Sequence, residues 1–223
     1  MDGTDNVAGE RVKATAQFLR ATYLNGYPII ARIRINDETI GHAIATIVPS
    51  VPAISTLPDN IDVKPQLTGP VMWITQLVVH REYRSRGHAT TLLRNLIISV
   101  TPTIVGISSS HPHALLALKR ASMSTFDLDF IRDKTGAVLS LVNVPYLNFA
   151  PLTGILFQAR SEGFALINMQ FNIELAEPIA ALENLPVDIT WPLGTLVPGH
   201  EFIAIFEVGS ARTPQFGKQL ALR

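Results

Sequence analysis

The chain has 223 residues, 18 basic and 18 acidic, no cysteine, and 47% hydrophobic residues. Zero formal net charge leaves no electrostatic footprint for nucleic acid or an anionic membrane, and the absence of cysteine excludes a disulfide scaffold, a thiolate nucleophile and a cysteine-based zinc site. The apolar fraction suffices for a packed core, no apolar run approaches the ~20 residues that cross a bilayer, and the polar, acidic Met1–Glu10 has no apolar segment of a secretory signal; a soluble, cytoplasmic protein is expected.

Residues 1–10 read as a frayed tail. A helix is predicted over Val7–Tyr23, with Val12, Ala16, Leu19 and Tyr23 about one turn apart, closed by Asn25-Gly26. Ile29–Ile35 alternates as a strand, Asn36-Asp37-Glu38 turns, and Thr39–Val48 returns as the second arm of a hairpin. Residues 49–70, with five prolines, form a long irregular loop, either a substrate-facing lid or an insertion without catalytic meaning. Val71–His80 is mostly apolar, as expected of a central strand. The helix after it carries Ala89, Leu92, Leu93, Leu96, Ile97 and Val100 on one stripe and closes at Pro102. Thr103–Ser109 is a further strand, and Pro112 opens a helix through Ala121. The order strand–helix–strand–helix over 71–121 predicts a right-handed crossover between parallel strands.

Another helix is predicted from Ser124 or Thr125, with Asp127 favouring its N-terminus and Gly136 leaving its end open. Beyond Pro145 the pattern turns to β: strands over Thr153–Gln158 and Phe164–Ile173, joined by a hairpin turn at Ser161-Glu162-Gly163. A short helix at Glu177–Leu185, a Pro/Gly loop, a last strand at Glu201–Val208 and a polar tail over 209–223 complete the chain.

The segment from Gln76 to Leu93 carries the chemistry. A strand runs into the turn Arg84-x-x-Gly87-x-Ala89, and a helix opens at once. A helix N-terminus preceded by such a turn points backbone N–H groups outward and binds phosphate. Gly87 removes a Cβ where backbone must approach the phosphate, and Ala89 is small for the same reason. The N–H groups from Ser85 to Thr90 can converge on a diphosphate, with charge from Arg84 and Arg86. The competing reading is an ordinary β–α turn with surface arginines.

Leu77-Val78-Val79 followed by Arg84-Ser85-Arg86-Gly87-His88-Ala89 resembles the acetyl-CoA motif (Gln/Arg)-x-x-Gly-x-(Gly/Ala) of the GNAT superfamily of N-acetyltransferases. The resemblance covers residues 27–121. It implies an α/β (α+β) fold: a mixed, mostly antiparallel sheet flanked by helices. Residues 1–223 then form a single N-acetyltransferase-like domain, with its core at 27–121 and a C-terminal extension at 124–210. The resemblance further implies acetyl-CoA as co-substrate, held by Leu77, Val78, Val79, Arg84, Ser85, Arg86, Gly87, His88, Ala89, Thr90 and His111. The activity implied is direct transfer of an acetyl group to a primary amine of a small molecule or peptide, by a monomer or a homodimer. The extension, with His111-Pro112-His113-Ala114, Trp191-Pro192-Leu193-Gly194 and Gly199-His200-Glu201-Phe202, is similar to uncharacterised fungal acetyltransferase-like proteins.

This chain departs from the family at several positions. The family's cofactor-touching Asn is His111, and the Tyr that frequently protonates the leaving thiolate is Leu118. The motif strand has no carboxylate, which leaves Gln76 and Tyr146 as catalytic candidates. Only about 28 residues precede the hairpin, where the family has a strand and two helices. A non-catalytic acyl-CoA-binding module is therefore the alternative. His111 and His113 flank Pro112 without further ligands at metal-binding spacing, so no metal is expected. His42 reads as a satisfied sheet residue. Gly106-Ile107-Ser108-Ser109-Ser110 lacks the Gly-x-Ser-x-Gly spacing of a nucleophile elbow and reads as a polar strand end lining the cofactor cleft. A P-loop hydrolase lacks its Gly-Lys-Ser/Thr.

Overall fold

Ile29, Ala31 and Ile33 alternate with Ile30, Arg32 and Arg34, and this pattern builds β1 (Tyr27–Ile35). Asn36 and Asp37 both take positive φ, 47° and 67°, as a two-residue type I′ turn requires. Glu38 therefore already belongs to β2 (Glu38–Val48) rather than to the turn. These and all following observations come from a computed structural model that describes residues 15, 17, 20, 26–49, 67, 69–148, 150–159, 163–169 and 174–209. The helix expected over Val7–Tyr23, most of the 49–70 loop, the Ser161-Glu162 turn residues and the tail beyond 209 lie outside the described residues, apart from the single positions named.

Among the described residues, β3 (Val71–Val79), β4 (Ile104–Ser109), β5 (Leu152–Thr153), β6 (Leu166–Asn168) and β7 (His200–Glu207) complete a seven-stranded sheet of order β1-β2-β3-β4-β7-β6-β5. Only β3 and β4 pair in parallel among the described strands, joined by the expected crossover. The sheet is thus mixed and mostly antiparallel, as expected. That crossover is α1 (His88–Val100), and α2 (Pro112–Ser122), with Pro112 in its first turn, follows β4.

The two faces of the sheet are covered differently. α1 packs on β1, β2 and β3, and α2 on β4 and β7. A Cβ on Gly41 would meet Leu92 of α1 at 3.5 Å, so Gly41 faces α1. Its neighbour His42 then points to the opposite face. α3 (Leu128–Val142) packs on β2, β3 and β7 from that opposite face. Leu92, Leu93, Leu96 and Ile97 are buried beneath α1, as the stripe requires.

Four expectations are corrected. α3 begins at Leu128 because the Asp127 carboxylate accepts the Phe130 N–H at 2.9 Å, which caps the helix. It runs through Gly136 to Val142. One exposed glycine costs about 1 kcal/mol in a helix, whereas burial of Ile131, Val138 and Val142 contributes about 1.5–3 kcal/mol each. The strand expected over Thr153–Gln158 ends at Thr153. At Gly154 φ is 94° and a Cβ would collide with the Phe164 backbone; the chain instead curls, with the Phe157 and Gln158 amides donating to the Gly154 carbonyl. Of Phe164–Ile173, the described ladder is Leu166–Asn168, while residues 170–173 lie outside the described set. α4 (Ala176–Glu183) ends before Leu185, where the Asn184 amide closes on Ala180 and Leu182.

Candidate active site

β3 and β4 pair only from Val71–Ile104 to Ile74–Ile107. Beyond that point β3 stays with β2, whose register shifts at Ile44/Ala45 to bulge Thr75. β4 stays with β7 through Ser108 and Ser109. The sheet therefore splits into two halves, and a cleft opens between them. Ile74, Thr75, Gln76 and Leu77 line one wall; Ile107, Ser108, Ser109 and Ala114 line the other. Among the described strands, none pairs with the β3 edge facing the gap there, the kind of place where an extended ligand can add as a strand.

At the end of β3, a 3₁₀ turn (Arg81–Tyr83) leads into the glycine turn. Ser85 and Gly87 take positive φ, 61° and 82°. Gly87 is the N-cap of α1 and offers no side-chain cap, so the first-turn amides of His88, Ala89 and Thr90 have no partner within the helix. A Cβ on Gly87 would meet nothing within 4 Å. The fold itself therefore has room for a side chain there; what calls for glycine is the φ and the open approach in front of the amides.

Residues 6–100 match the model of the Acetyltransferase (GNAT) family. That match spans less than half of the chain. The match ends with α1, so β4, α2 and everything after them lie beyond it. Among solved structures, one of a putative arylalkylamine N-acetyltransferase 7 from the yellow fever mosquito Aedes aegypti is similar at 19% identity. The likeness covers 51% of this chain and 56% of that one, a little over half its length, with a TM-score of 0.28. No curated protein matches the chain.

The two motif arginines are already engaged. Arg84 Nε donates to the Val79 carbonyl at 3.2 Å, and Nη1 donates to Glu177 Oε1 at 2.7 Å. The Arg86 guanidinium lies 5.6 Å from the Tyr83 ring centre, which also meets the rings of His80 and His88 at 5.8 and 6.4 Å. Leu77 and Val79 are half-buried and Val78 is exposed.

His111 caps α2, its Nδ1 accepting the His113 N–H at 3.3 Å. Its own N–H donates to Ser109 Oγ at 3.1 Å, and its Nε2 lies 3.8 Å from Glu177 Oε1. Burial first, then His113 and Arg84, push its pKa below the usual histidine range, and Glu177 offsets part of this. His113 is lowered too, by burial and then by Arg120. Among the described residues, no three His, Cys, Asp or Glu side chains group as metal ligands.

Of the catalytic candidates, Gln76 lines the cleft and is hydrogen-bonded through Oε1 to His42 Nε2 at 2.9 Å. Tyr146 sits in the turn after α3, half-buried against the core and outside the residues that line the cleft. Leu118 is fully buried beneath α2. Two acids were missed by sequence reasoning. Glu177 of α4 reaches both Arg84 and His111 across the mouth of the cleft. Glu201, the second residue of β7, lies diagonally across the β4–β7 ladder from Ser108, whose hydroxyl offsets part of the rise that burial gives its pKa. Glu201 could have been suspected as the single acid at the head of an apolar strand; nothing local in the sequence marks Glu177.

Proposed function

We propose that the chain transfers an acetyl group from acetyl-CoA to a primary amine by direct attack, as a single domain whose C-terminal part completes the sheet. The observation that carries this reading is the parting of β3 and β4 beyond Ile74 and Ile107, with an uncapped helix N-terminus at the end of β3. The residues present fit acetyl-CoA. The stretch Leu77–Val79, beyond the last β4 pairing, suits a pantetheine arm with its amide groups, and the amides from Ser85 to Thr90 suit a diphosphate. Arg84 and His111 flank the cleft mouth through Glu177.

Bound there, acetyl-CoA supplies an already activated thioester. The remaining work falls to the chain. Backbone N–H groups of the β3 edge polarise the carbonyl. Gln76, fixed by His42, orients the incoming amine. The narrow walls align both reactants and exclude bulk water.

A second reading, a non-catalytic acyl-CoA-binding module, is favoured by Leu118, which fills the core where the family often has its acidic Tyr. Calorimetric titration with acetyl-CoA, followed by CoA release across polyamines, amino acids, aminoglycosides and peptide N-termini, separates the two. Turnover on any amine supports the transferase; tight binding without turnover supports the module. Gly87→Glu should abolish binding, and unchanged affinity in that variant would refute the site.

A further inference from the structure

β7 lies between β4 and β6, and Glu201 stands at its start. Ser108 faces Ile203 across the β4–β7 ladder, and Glu201 is two residues from Ile203. Ser108, Ile203 and Glu201 therefore share one face of the sheet. Gly106, two residues before Ser108, pairs with Trp73, and Trp73 pairs with Thr46. Thr46, Ile44 and His42 alternate along β2, and Gln76 pairs with Ile44. Gln76 thus sits on the same face, which is the one covered by α3. One wall of the cleft there is Gln76 with His42; the other is Ser108 with Glu201 behind it.

We propose that Glu201, acting through the Ser108 hydroxyl, takes up the proton that the acceptor amine loses during acetyl transfer. The inference rests on the acetyltransferase reading of this cleft. The nitrogen forms its bond to the acetyl carbonyl carbon, the carbon–sulfur bond breaks, and its electron pair goes to sulfur. The nitrogen's proton passes to the Ser108 oxygen while the Ser108 proton passes to Glu201. Return of that proton along the same path to the sulfur leaves amide and thiol, with Glu201 ionised again. No further reactant is needed. Ser108 touches the nitrogen; Glu201 is the positioning residue that fixes the hydroxyl and stores the proton.

Burial pushes the Glu201 carboxyl above the usual carboxylate range, and the Ser108 hydrogen bond offsets part of this. A proton acceptor works best with a pKa near the operating pH, so the shift is in the useful direction. Neighbouring charges do not set it. β4 and β6 carry no ionisable side chain. His200 beside it is held on the Pro198 carbonyl at 2.8 Å. α2 presents His113, Lys119 and Arg120, and α3 presents Asp129, Arg132, Asp133 and Lys134, yet none of these contributes to the shift.

Glu201→Gln keeps the shape and removes the proton site. In the full chain, with acetyl-CoA and the best amine from the panel, kcat should fall about 100-fold. Acetyl-CoA affinity should stay within about twofold, since Glu201 is away from the phosphate turn. The acid limb of the kcat–pH profile should flatten. Ser108→Ala, with its Glu201 intact, should flatten the same limb and serves if Glu201→Gln does not fold. A folded Glu201→Gln with wild-type kcat and pH profile overturns the relay while leaving acetyl transfer standing. Absence of transfer to every amine by the wild-type chain overturns both.

Discussion

The six-membered ring of Trp73 occupies the space in front of Gly106: a Cβ built there would stand 2.5 Å from Cε3 of that ring and 3.0 Å from Cγ2 of Ile205. The two residues pair one rung before the last contact between β3 and β4. The indole thus sits at the vertex from which the cleft opens. Its Nε1 is buried without a hydrogen-bond partner, so the ring contributes packing there and no hydrogen bond. Gly106→Ala should cost about 1–3 kcal/mol by overpacking. Trp73→Phe should relieve the clash, so the double variant should lose less than the sum of the single variants. Denaturant unfolding of all four proteins measures the coupling. Strict additivity would mean that the ring and the missing Cβ do not share this space.

Glu177 strings a carboxylate between Arg84 and His111 at the cleft mouth. Both members of the Arg84 pair are more than half exposed, 51% and 67%, so the pair adds at most about 1 kcal/mol to stability. On the proposed acetyl-CoA reading its effect on ligand binding should be larger in proportion, because the diphosphate would compete for the same guanidinium. Glu177→Gln should tighten acetyl-CoA binding about fivefold and leave the melting temperature nearly unchanged. The gain should shrink as salt rises. Weaker binding in this variant would show that Glu177 organises the site rather than occupying it.

The parts of the fold legible in the sequence are those whose signals are local. Asn36-Asp37 announces its turn, the Leu92–Leu93–Leu96–Ile97 stripe announces α1, and Pro112 announces α2, each through the backbone rule of a few neighbouring residues. The glycine turn was legible because Gly87 and the helix that it opens are contiguous. Gly154 misled, because the close approach of the Phe164 backbone, which calls for glycine there, is non-local. The placements of Glu201 and Glu177 were illegible for the same reason. Glu201 comes beside Ser108 only because β7 inserts beside β4, and Glu177 meets Arg84 and His111 only because α4 folds back against α2. Strand order and helix docking of that kind leave no periodicity in the chain.

His111 and His113 give stability a definite pH dependence. Both have pKa values held below the unfolded value of about 6.5. The unfolded chain therefore binds more protons than the native one between the folded and unfolded pKa values. Their contribution is fully present above about pH 6.5 and is lost as pH falls through the lowered folded values. His111→Asn keeps a good helix cap and removes one titrating ring. Its melting temperature should match wild type at pH 7 and fall less steeply below pH 6.5. Parallel curves for the two proteins across that window would exclude His111 as a source of the acid sensitivity.

α3 offers a matched pair of changes with opposite signs. Gly136 is exposed inside the helix, and a Cβ there would meet nothing within 4 Å. Gly136→Ala reduces the freedom of the unfolded chain without a clash, and should stabilise by about 1 kcal/mol. At this chain length that corresponds to a rise of about 2–4 °C in Tm. Asp127→Ala removes the carboxylate that accepts the Phe130 N–H at 2.9 Å and should cost about 1 kcal/mol. The two sites are nine residues apart along one helix and share no partner, so their effects should add. Because α3 packs on the face shared by Gln76 and Glu201 without supplying a group that lines the cleft, acetyl-CoA affinity should be the same in both variants. A large affinity change in either would mean that α3 shapes the cleft, which its packing alone does not require.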